Sequence, residues 1–113
     1  MGCNSRIKRA SIAAAGFFST FFLVACGPEG PPPPRDYVYS CATCHEDGLG
    51  GAPVTGDRDE WERRIAKGVA KVRSNALEGF EGGTGIMPAK GGNLDLSDEQ
   101  VIALVDYMIE ASR

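Results

Sequence analysis

Cys41-Ala42-Thr43-Cys44-His45 carries two thiols three positions apart and an imidazole directly after the second thiol. On one turn of a helix, residues three positions apart lie on the same face. C-x-x-C-H is the sequence to which a c-type haem is attached. Each thiol adds across one vinyl group of the porphyrin, and the imidazole of His45 then lies beneath the iron. The motif therefore predicts a covalently bound haem c.

Two other kinds of site use cysteine pairs at this spacing. A thioredoxin-like redox pair lies in a βαβ context, which this Gly- and Pro-rich chain does not show. A structural zinc site needs about four Cys or His ligands. The chain has one histidine and four cysteines, and two of those cysteines are assigned below to other roles. Covalent haem is the interpretation that accounts for the motif and its context.

Residues 1–25 have the features of a secretory signal. Arg6, Lys8 and Arg9 form a positively charged start, and residues 10–24 are mostly apolar. The apolar run is short for a membrane-spanning helix. Small residues then precede a possible cleavage site, as in signal peptides. We therefore expect this segment to be removed from the mature protein.

Leu23-Val24-Ala25-Cys26, at the end of the apolar run, resembles the lipobox of bacterial lipoproteins. The resemblance implies that Cys26 becomes the first residue after cleavage and carries lipid. Acyl chains that bury methylenes at about 0.8 kcal/mol each would hold the domain firmly on a membrane. Gly27 after the cysteine, where the retention signal has an aspartate, favours the outer membrane. An ordinary secretory signal and an uncleaved N-terminal anchor remain the alternatives.

Charge and cysteine content narrow the possible functions. The chain has a net charge of −3, and loss of the three basic residues of the signal lowers it to −6. An acidic domain with no basic run is a poor candidate for binding nucleic acid or an anionic membrane surface. Cys3 leaves with the signal, Cys26 takes lipid, and Cys41 and Cys44 take haem. No disulfide is then expected, so the cofactor must supply part of the core of this small domain.

The remainder of the chain divides into a linker and one domain. Residues 26–35 contain the acylated cysteine and the run Pro31-Pro32-Pro33-Pro34, which is typical of an extended linker. A proline-rich ligand for a partner domain is the alternative for this run. Residues 36–113 are expected to form a monohaem domain. Their pattern predicts helices at 36–45, 58–67 and 69–77 and after Ser97, with no strands, and hence an all-α fold.

Capping signals and apolar spacing support these helices. Ser97 with Gln100 predicts a capping box, and Asp57 with Glu60 resembles a second one. The first helix offers Tyr37, Val38 and Tyr39 as its apolar face. The later helices carry apolar residues at helical spacing, which are Trp61, Ile65, Val69 and Val72, and then Val101, Leu104, Val105 and Met108.

The second axial ligand of the iron must come from outside the motif, because His45 is the only histidine. Met1 leaves with the signal, and Met108 lies on the apolar stripe of the last helix, where a core role is expected. Met87 lies in a Gly-rich loop next to Pro88, where its thioether can reach the open face of the haem. Ligation by histidine and methionine raises the reduction potential and fills all six positions on the iron. This arrangement favours one-electron transfer.

The ordered motifs of residues 36–113 resemble those of small class I bacterial cytochromes of the cytochrome c5 type. The resemblance implies about four short helices around one haem, with His45 and Met87 as axial ligands. It also implies that the carbonyl of Pro53 accepts a hydrogen bond from the other nitrogen of His45. An extra cysteine pair found in some members is absent. The elements of the resemblance are Cys41–His45, Gly51-Ala52-Pro53, Gly56-Asp57 with Trp61, Ile86-Met87-Pro88, Lys90-Gly91-Gly92, Leu96-Ser97-Asp98 and Val105-Asp106-Tyr107-Met108.

Together these observations favour a lipid-anchored electron carrier, not an enzyme, that works with redox proteins on the periplasmic side of a bacterial membrane. No catalytic constellation is evident in the sequence. The alternatives are a haem-based gas or redox sensor, and a tethered cytochrome subunit of a larger oxidase or dehydrogenase. The basic residues between Arg63 and Arg73 are expected to form a solvated helix face, with docking to an acidic partner or pairing with a haem propionate as the alternatives.

Overall fold

The computed structural model describes residues 31–113, so the signal segment and Cys26 lie outside the described residues. Its helices are α1 Arg35–Ser40, α2 Ala42–His45, α3 Arg58–Ile65, α4 Val69–Glu78 and α5 Asp98–Ala111. Short 3-10 turns lie at Leu49–Gly51 and Ala89–Gly92, and strands β1 Phe80–Glu81 and β2 Ile86–Met87 separate α4 from α5. Within residues 31–113, no helix has the length and apolar character needed to cross a bilayer.

The two middle helices begin and end within two residues of the predicted positions. Gly68, with a φ of +105°, separates α3 from α4 as expected. Asp57 caps α3 by accepting a 3.1 Å hydrogen bond from the backbone N–H of Glu60. The second half of the predicted capping box is absent there. The Glu60 carboxylate accepts hydrogen bonds from Arg63 and Arg64 one turn later instead.

The structure of the last helix confirms the capping box and the apolar stripe predicted from its sequence. The Ser97 hydroxyl accepts a hydrogen bond from the Gln100 N–H at 3.2 Å, and the Gln100 side chain accepts one from the Ser97 N–H at 2.8 Å. This is the predicted capping box. One side of α5 is buried, and it consists of Val101, Leu104, Val105, Met108 and Ile109.

The core forms where α5 meets the other helices. Trp61 on α3 is only 2% exposed, and its indole N–H donates to the carbonyl of Val54 at 2.9 Å. Tyr37 on α1 packs edge-on against Tyr107 on α5, with ring centroids 5.0 Å apart. These contacts confirm the predicted core position of Trp61, and Met108 is buried as well.

The predicted apolar face of α1 is wrong in two of its three residues. Tyr37 is buried, but Val38 and Tyr39 are 47% and 74% exposed. Consecutive residues on an α-helix point in directions about 100° apart, so three in a row cannot all face the core. Tyr37 is oriented further by a 3.0 Å hydrogen bond from its hydroxyl to that of Thr55.

The β-hairpin before α5 contradicts the prediction that the domain has no strands. Phe80 pairs with Met87 and Glu81 pairs with Ile86, in antiparallel register. Each strand has only two residues, which is too short for an alternating pattern to appear in the sequence. Apart from this hairpin the described residues form a helical domain, as predicted.

Candidate haem site

The haem motif lies on an almost continuous helical segment. The N–H of Cys41 donates to the carbonyl of Tyr37 at 2.9 Å, and the N–H of His45 donates to that of Cys41 at 3.0 Å. A bend at Cys41, with φ −114° and ψ −40°, separates α1 from α2. Cys41 and Cys44 thus lie one helical turn apart, half-buried, and neither is in a disulfide within the described residues. The two thiols fit the attachment chemistry of haem c.

His45 is buried and held by its loop. Its Nδ1 atom lies 2.9 Å from the carbonyl oxygen of Pro53. A carbonyl oxygen can only accept, so Nδ1 carries the proton and Nε2 keeps its lone pair. No hydrogen bond to Nε2 is found among residues 31–113. This nitrogen is therefore oriented and available as a metal ligand.

The surroundings of His45 favour the neutral imidazole. Burial lowers its pKa because the charged form loses hydration. The hydrogen bond to Pro53 opposes this effect, and the positive charge of Arg64 lowers the pKa further. Iron binds the neutral imidazole, so the electrostatics match the predicted role of this side chain.

The loop that carries Pro53 is fixed by contacts with three helices. The N–H of Thr55 donates to the carbonyl of His45 at 2.7 Å. Trp61 on α3 binds the carbonyl of Val54, and the N–H of Gly56 donates to the hydroxyl of Ser112, just after α5, at 2.8 Å. A cleft of about 400 Å³ lies beside Pro53. The two cysteines, His45 and Met87 do not line this cleft.

Met87 is the last residue of β2, half-buried and packed against the core cluster. The chain passes close to Gly79 here. A β-carbon at residue 79 would lie 3.1 Å from both the carbonyl oxygen of Met87 and the N–H nitrogen of Ala89. The start and end of the hairpin are therefore held together by direct backbone contact.

The segment after Met87 is attached to the residue that precedes the haem motif. The side-chain amide of Asn93 donates to the hydroxyl of Ser40 at 3.0 Å. Gly91 lies against the carbonyl of Ser40 so closely that a β-carbon would come within 2.7 Å of it. The fold thus places the segment that follows Met87 next to the start of the Cys41–His45 segment. No local pattern could indicate this contact, because Ser40 and Asn93 are 53 residues apart.

Lys90 fixes the same segment to the start of α5. Its φ is +54°, the only positive value of a non-glycine residue in the described part of the chain. Its ammonium group donates to the carbonyl of Leu96 and contacts the carboxylate of Asp98, each at 2.8 Å. These two contacts offset the cost of the left-handed backbone. In the sequence Lys90 is marked only by the family resemblance, and no local pattern indicates its anchoring role.

The basic residues of α3 and α4 are mostly paired with acids. Besides the pairs made by Glu60, Arg58 lies 3.4 Å from Glu62, and Arg73 binds Asp106 through two contacts of 2.9 and 2.8 Å. The Arg73 pair joins α4 to α5. Pairing of this kind fits the solvated helix face that is expected for the basic residues between Arg63 and Arg73.

Comparison with known proteins identifies the class of this fold and site, that of a small c-type cytochrome. Residues 31–108 match the protein family described as Cytochrome C oxidase, cbb3-type, subunit III. Cytochrome c-555 of Chlorobaculum tepidum is 48% identical over 77 residues, which cover 68% of this chain and 71% of that protein. Cytochrome c-555 of Chlorobaculum thiosulfatiphilum is 47% identical over 77 residues, which cover 68% and 90%. The chain belongs to this family of c-type cytochromes.

Solved structures show the same fold. A mono-haem ferrocytochrome c from Shewanella putrefaciens matches with a TM-score of 0.54 and 33% identity, covering 64% of this chain and 84% of that one. A chain from the crystal structure of an electron transfer complex of nitrite reductase with cytochrome c matches with a TM-score of 0.60 and 28% identity, covering 73% and 100%. The all-α class I cytochrome c fold and the covalent haem c are thereby confirmed. Membership of the c5 type stays a prediction.

Proposed function

We propose that this protein is a lipid-anchored carrier of single electrons between redox proteins of the bacterial envelope. Haem c supplies the one-electron chemistry, and the protein sets its potential and its exposure to partners. In this proposal Cys41 and Cys44 hold the porphyrin, and His45 and Met87 ligate the iron. The observation that carries the proposal is the hydrogen bond between His45 and Pro53, which fixes the imidazole directly after the helical turn that carries the two thiols.

Met87 is the methionine best placed for the second axial position. Met108 is 2% exposed in the core of α5, and Met1 lies outside the described residues. Met87 is half-buried, and the segment that follows it contacts Ser40, the residue before Cys41. With a thioether on one side and an imidazole on the other, no position is left for oxygen or peroxide, so transfer is favoured over catalysis.

Replacement of each methionine tests this ligation. Met87→Ala should keep covalent haem, lose the red methionine–iron charge-transfer band of the oxidised protein and bind carbon monoxide when reduced. Its reduction potential should fall, because the thioether ligand raises the potential. Met108→Leu, a volume-conserving core change, should leave all of these properties unaltered. A Met87→Ala protein with the band and the potential of the wild type would refute the assignment.

The lipid anchor is proposed from the lipobox alone. Expressed with its own signal, the wild-type protein should fractionate with membranes, and its mature N-terminus should be an acylated Cys26 by mass spectrometry. Cys26→Ser should lose the acylated N-terminus in the mass spectrum while leaving covalent haem in place. Cys3→Ser serves as the control, because that residue leaves with the signal. A wild-type protein that keeps residues 1–25 and carries no lipid on Cys26 would point to an uncleaved N-terminal anchor instead.

A second candidate function is a permanent subunit of a larger oxidase, which is favoured by the description of the matching family. The likeness to a chain from an electron transfer complex with nitrite reductase supports transient pairing with a separate redox protein. Purification from detergent-solubilised membranes separates the two. A free carrier should elute alone at moderate salt, whereas a subunit should co-purify with its complex at a fixed ratio.

A further inference from the structure

The loops on the two sides of the site touch each other through their backbones. The turn Leu49–Gly51 follows the haem motif, and residues 82–85 form the tip of the hairpin that carries Met87. A β-carbon at residue 85 would overlap the carbonyl oxygen of Gly50 and lie 3.0 Å from its carbonyl carbon. A β-carbon at residue 51 would lie 2.6 Å from the hydroxyl oxygen of Thr84.

Close approach is the reason for a glycine at position 85. Its φ lies outside the left-handed region, so its backbone conformation would suit any residue. The obstructing atoms belong to the backbone of Gly50, which cannot turn away as a flexible side chain could. Gly83, two residues earlier in the same turn, also has an ordinary φ, and nothing lies within 4 Å of its β-carbon position.

A side chain at residue 85 would move the hairpin rather than the loop opposite. The loop is held by hydrogen bonds from Gly51 to Gly48 and from Ala52 to Leu49, at 3.1 and 3.2 Å. The hairpin has only two residue pairs, and its tip is closed by one 2.9 Å bond from the N–H of Gly82 to the carbonyl of Gly85. The tip, with this single hydrogen bond, therefore yields before the loop, and Met87 is two residues from the clash.

We propose that Gly85 is a positioning residue for the iron ligand: it lets the hairpin lie directly against the loop after His45, and so holds the thioether of Met87 at bonding distance. This inference rests on the proposed ligation by Met87. In this inference the contact between Gly50 and Gly85 keeps the hairpin that carries Met87 against the loop after His45.

The test compares Gly85→Ala with Gly83→Ala in the haem-loaded protein. Imidazole competes with the thioether for the oxidised iron. Its apparent affinity therefore rises with the fraction of molecules in which Met87 is not bound to the iron. Gly85→Ala should bind imidazole about tenfold more tightly than the wild type, with a weaker methionine–iron band. Gly83→Ala should stay within about twofold of the wild type. Both measurements are made well below the unfolding temperature, where circular dichroism shows a native helix content.

The outcomes separate this inference from the proposed function. A Gly85→Ala protein with wild-type imidazole affinity and band overturns the inference and leaves ligation by Met87 intact. A wild-type protein without the band overturns the ligation itself. If Gly85→Ala fails to retain haem, Thr84→Ala takes its place, because it loosens the contact with Gly51 without a clash. It should also bind imidazole more tightly than Gly83→Ala, and equal affinities would overturn the inference.

Discussion

The imidazole of His45 donates a 2.9 Å hydrogen bond from Nδ1 to the carbonyl oxygen of Pro53, eight residues later. The loop that carries Pro53 is fastened just after this residue, at Thr55 to the carbonyl of His45 and at Gly56 to Ser112. The ring orientation is therefore set by the protein framework. As the proposed iron ligand, an imidazole held in this way would need little reorganisation when the iron changes its oxidation state.

This bond makes a prediction for hydrogen exchange. In the reduced, diamagnetic protein the Nδ1 proton of His45 should be visible by NMR and should exchange slowly with solvent, because the bond lies in a fixed loop. Pro53→Gly loosens the backbone that presents the acceptor and should speed the exchange by about tenfold or more. Pro33→Gly, in the exposed segment before α1, should not change it. Rapid exchange in the wild type would show that the bond does not fix the ring.

Ser112 is a buried link between the end of α5 and the loop of Pro53. Its hydroxyl donates to the carbonyl of Met108 at 2.7 Å and accepts from the N–H of Gly56. Ser112→Ala would leave that N–H unsatisfied and should lower the free energy of unfolding by about 1–3 kcal/mol. Tm should fall by roughly 4 °C or more.

Thermal unfolding of the haem-loaded protein measures this effect. Ser74→Ala is the control, since Ser74 is half-buried on α4 and makes no side-chain hydrogen bond within residues 31–113. Equal Tm values for the two variants would show that the link to Gly56 contributes nothing to stability.

Glu60 predicts a dependence of stability on pH. Hydrogen bonds from Arg64 and then Arg63 hold the pKa of its carboxyl below the usual value of 4.5. Its ionised form therefore stabilises the fold above pH 4.5, and this contribution is lost as the pH falls through the folded-state pKa. Glu60→Gln should be less stable than the wild type at pH 7, and the difference should shrink in acid.

Urea unfolding of both proteins at a series of pH values follows this difference. The matched control is Glu62→Gln, whose carboxylate makes a single exposed contact with Arg58 at 3.4 Å. That variant should show a smaller difference at pH 7. A Glu60→Gln difference that is constant between pH 7 and pH 3 would exclude the carboxylate as its source.

Local signals in the sequence were sufficient for the three later helices and for the haem motif, but not for the break at Cys41 in the predicted helix 36–45. The capping box of Ser97 and Gln100 and the buried stripe of α5 follow from spacings of three and four residues, which a single helix determines. The cysteine pair with its histidine is likewise local, because the porphyrin dictates the spacing. These features required no knowledge of the rest of the fold.

The contacts between the segments around the haem motif and the segments around Met87 could not be predicted from local signals. Asn93 meets Ser40, and Gly85 meets Gly50, across stretches of chain that carry no pairing pattern. The two-residue strands are too short to show a period. Glu60 shows a different limit, since the pattern of a capping box was present but the nearby arginines compete for the carboxylate.

The absorption spectrum of the wild-type protein, expressed with its own signal and a haem-attachment system, tests the central claim most directly. Ligation by His45 and Met87 predicts a low-spin c-type spectrum, with the methionine–iron charge-transfer band in the oxidised form and no change when carbon monoxide is added to the reduced form. A high-spin spectrum, or avid carbon monoxide binding by the unmutated protein, would contradict the claim and favour a sensor with an open iron.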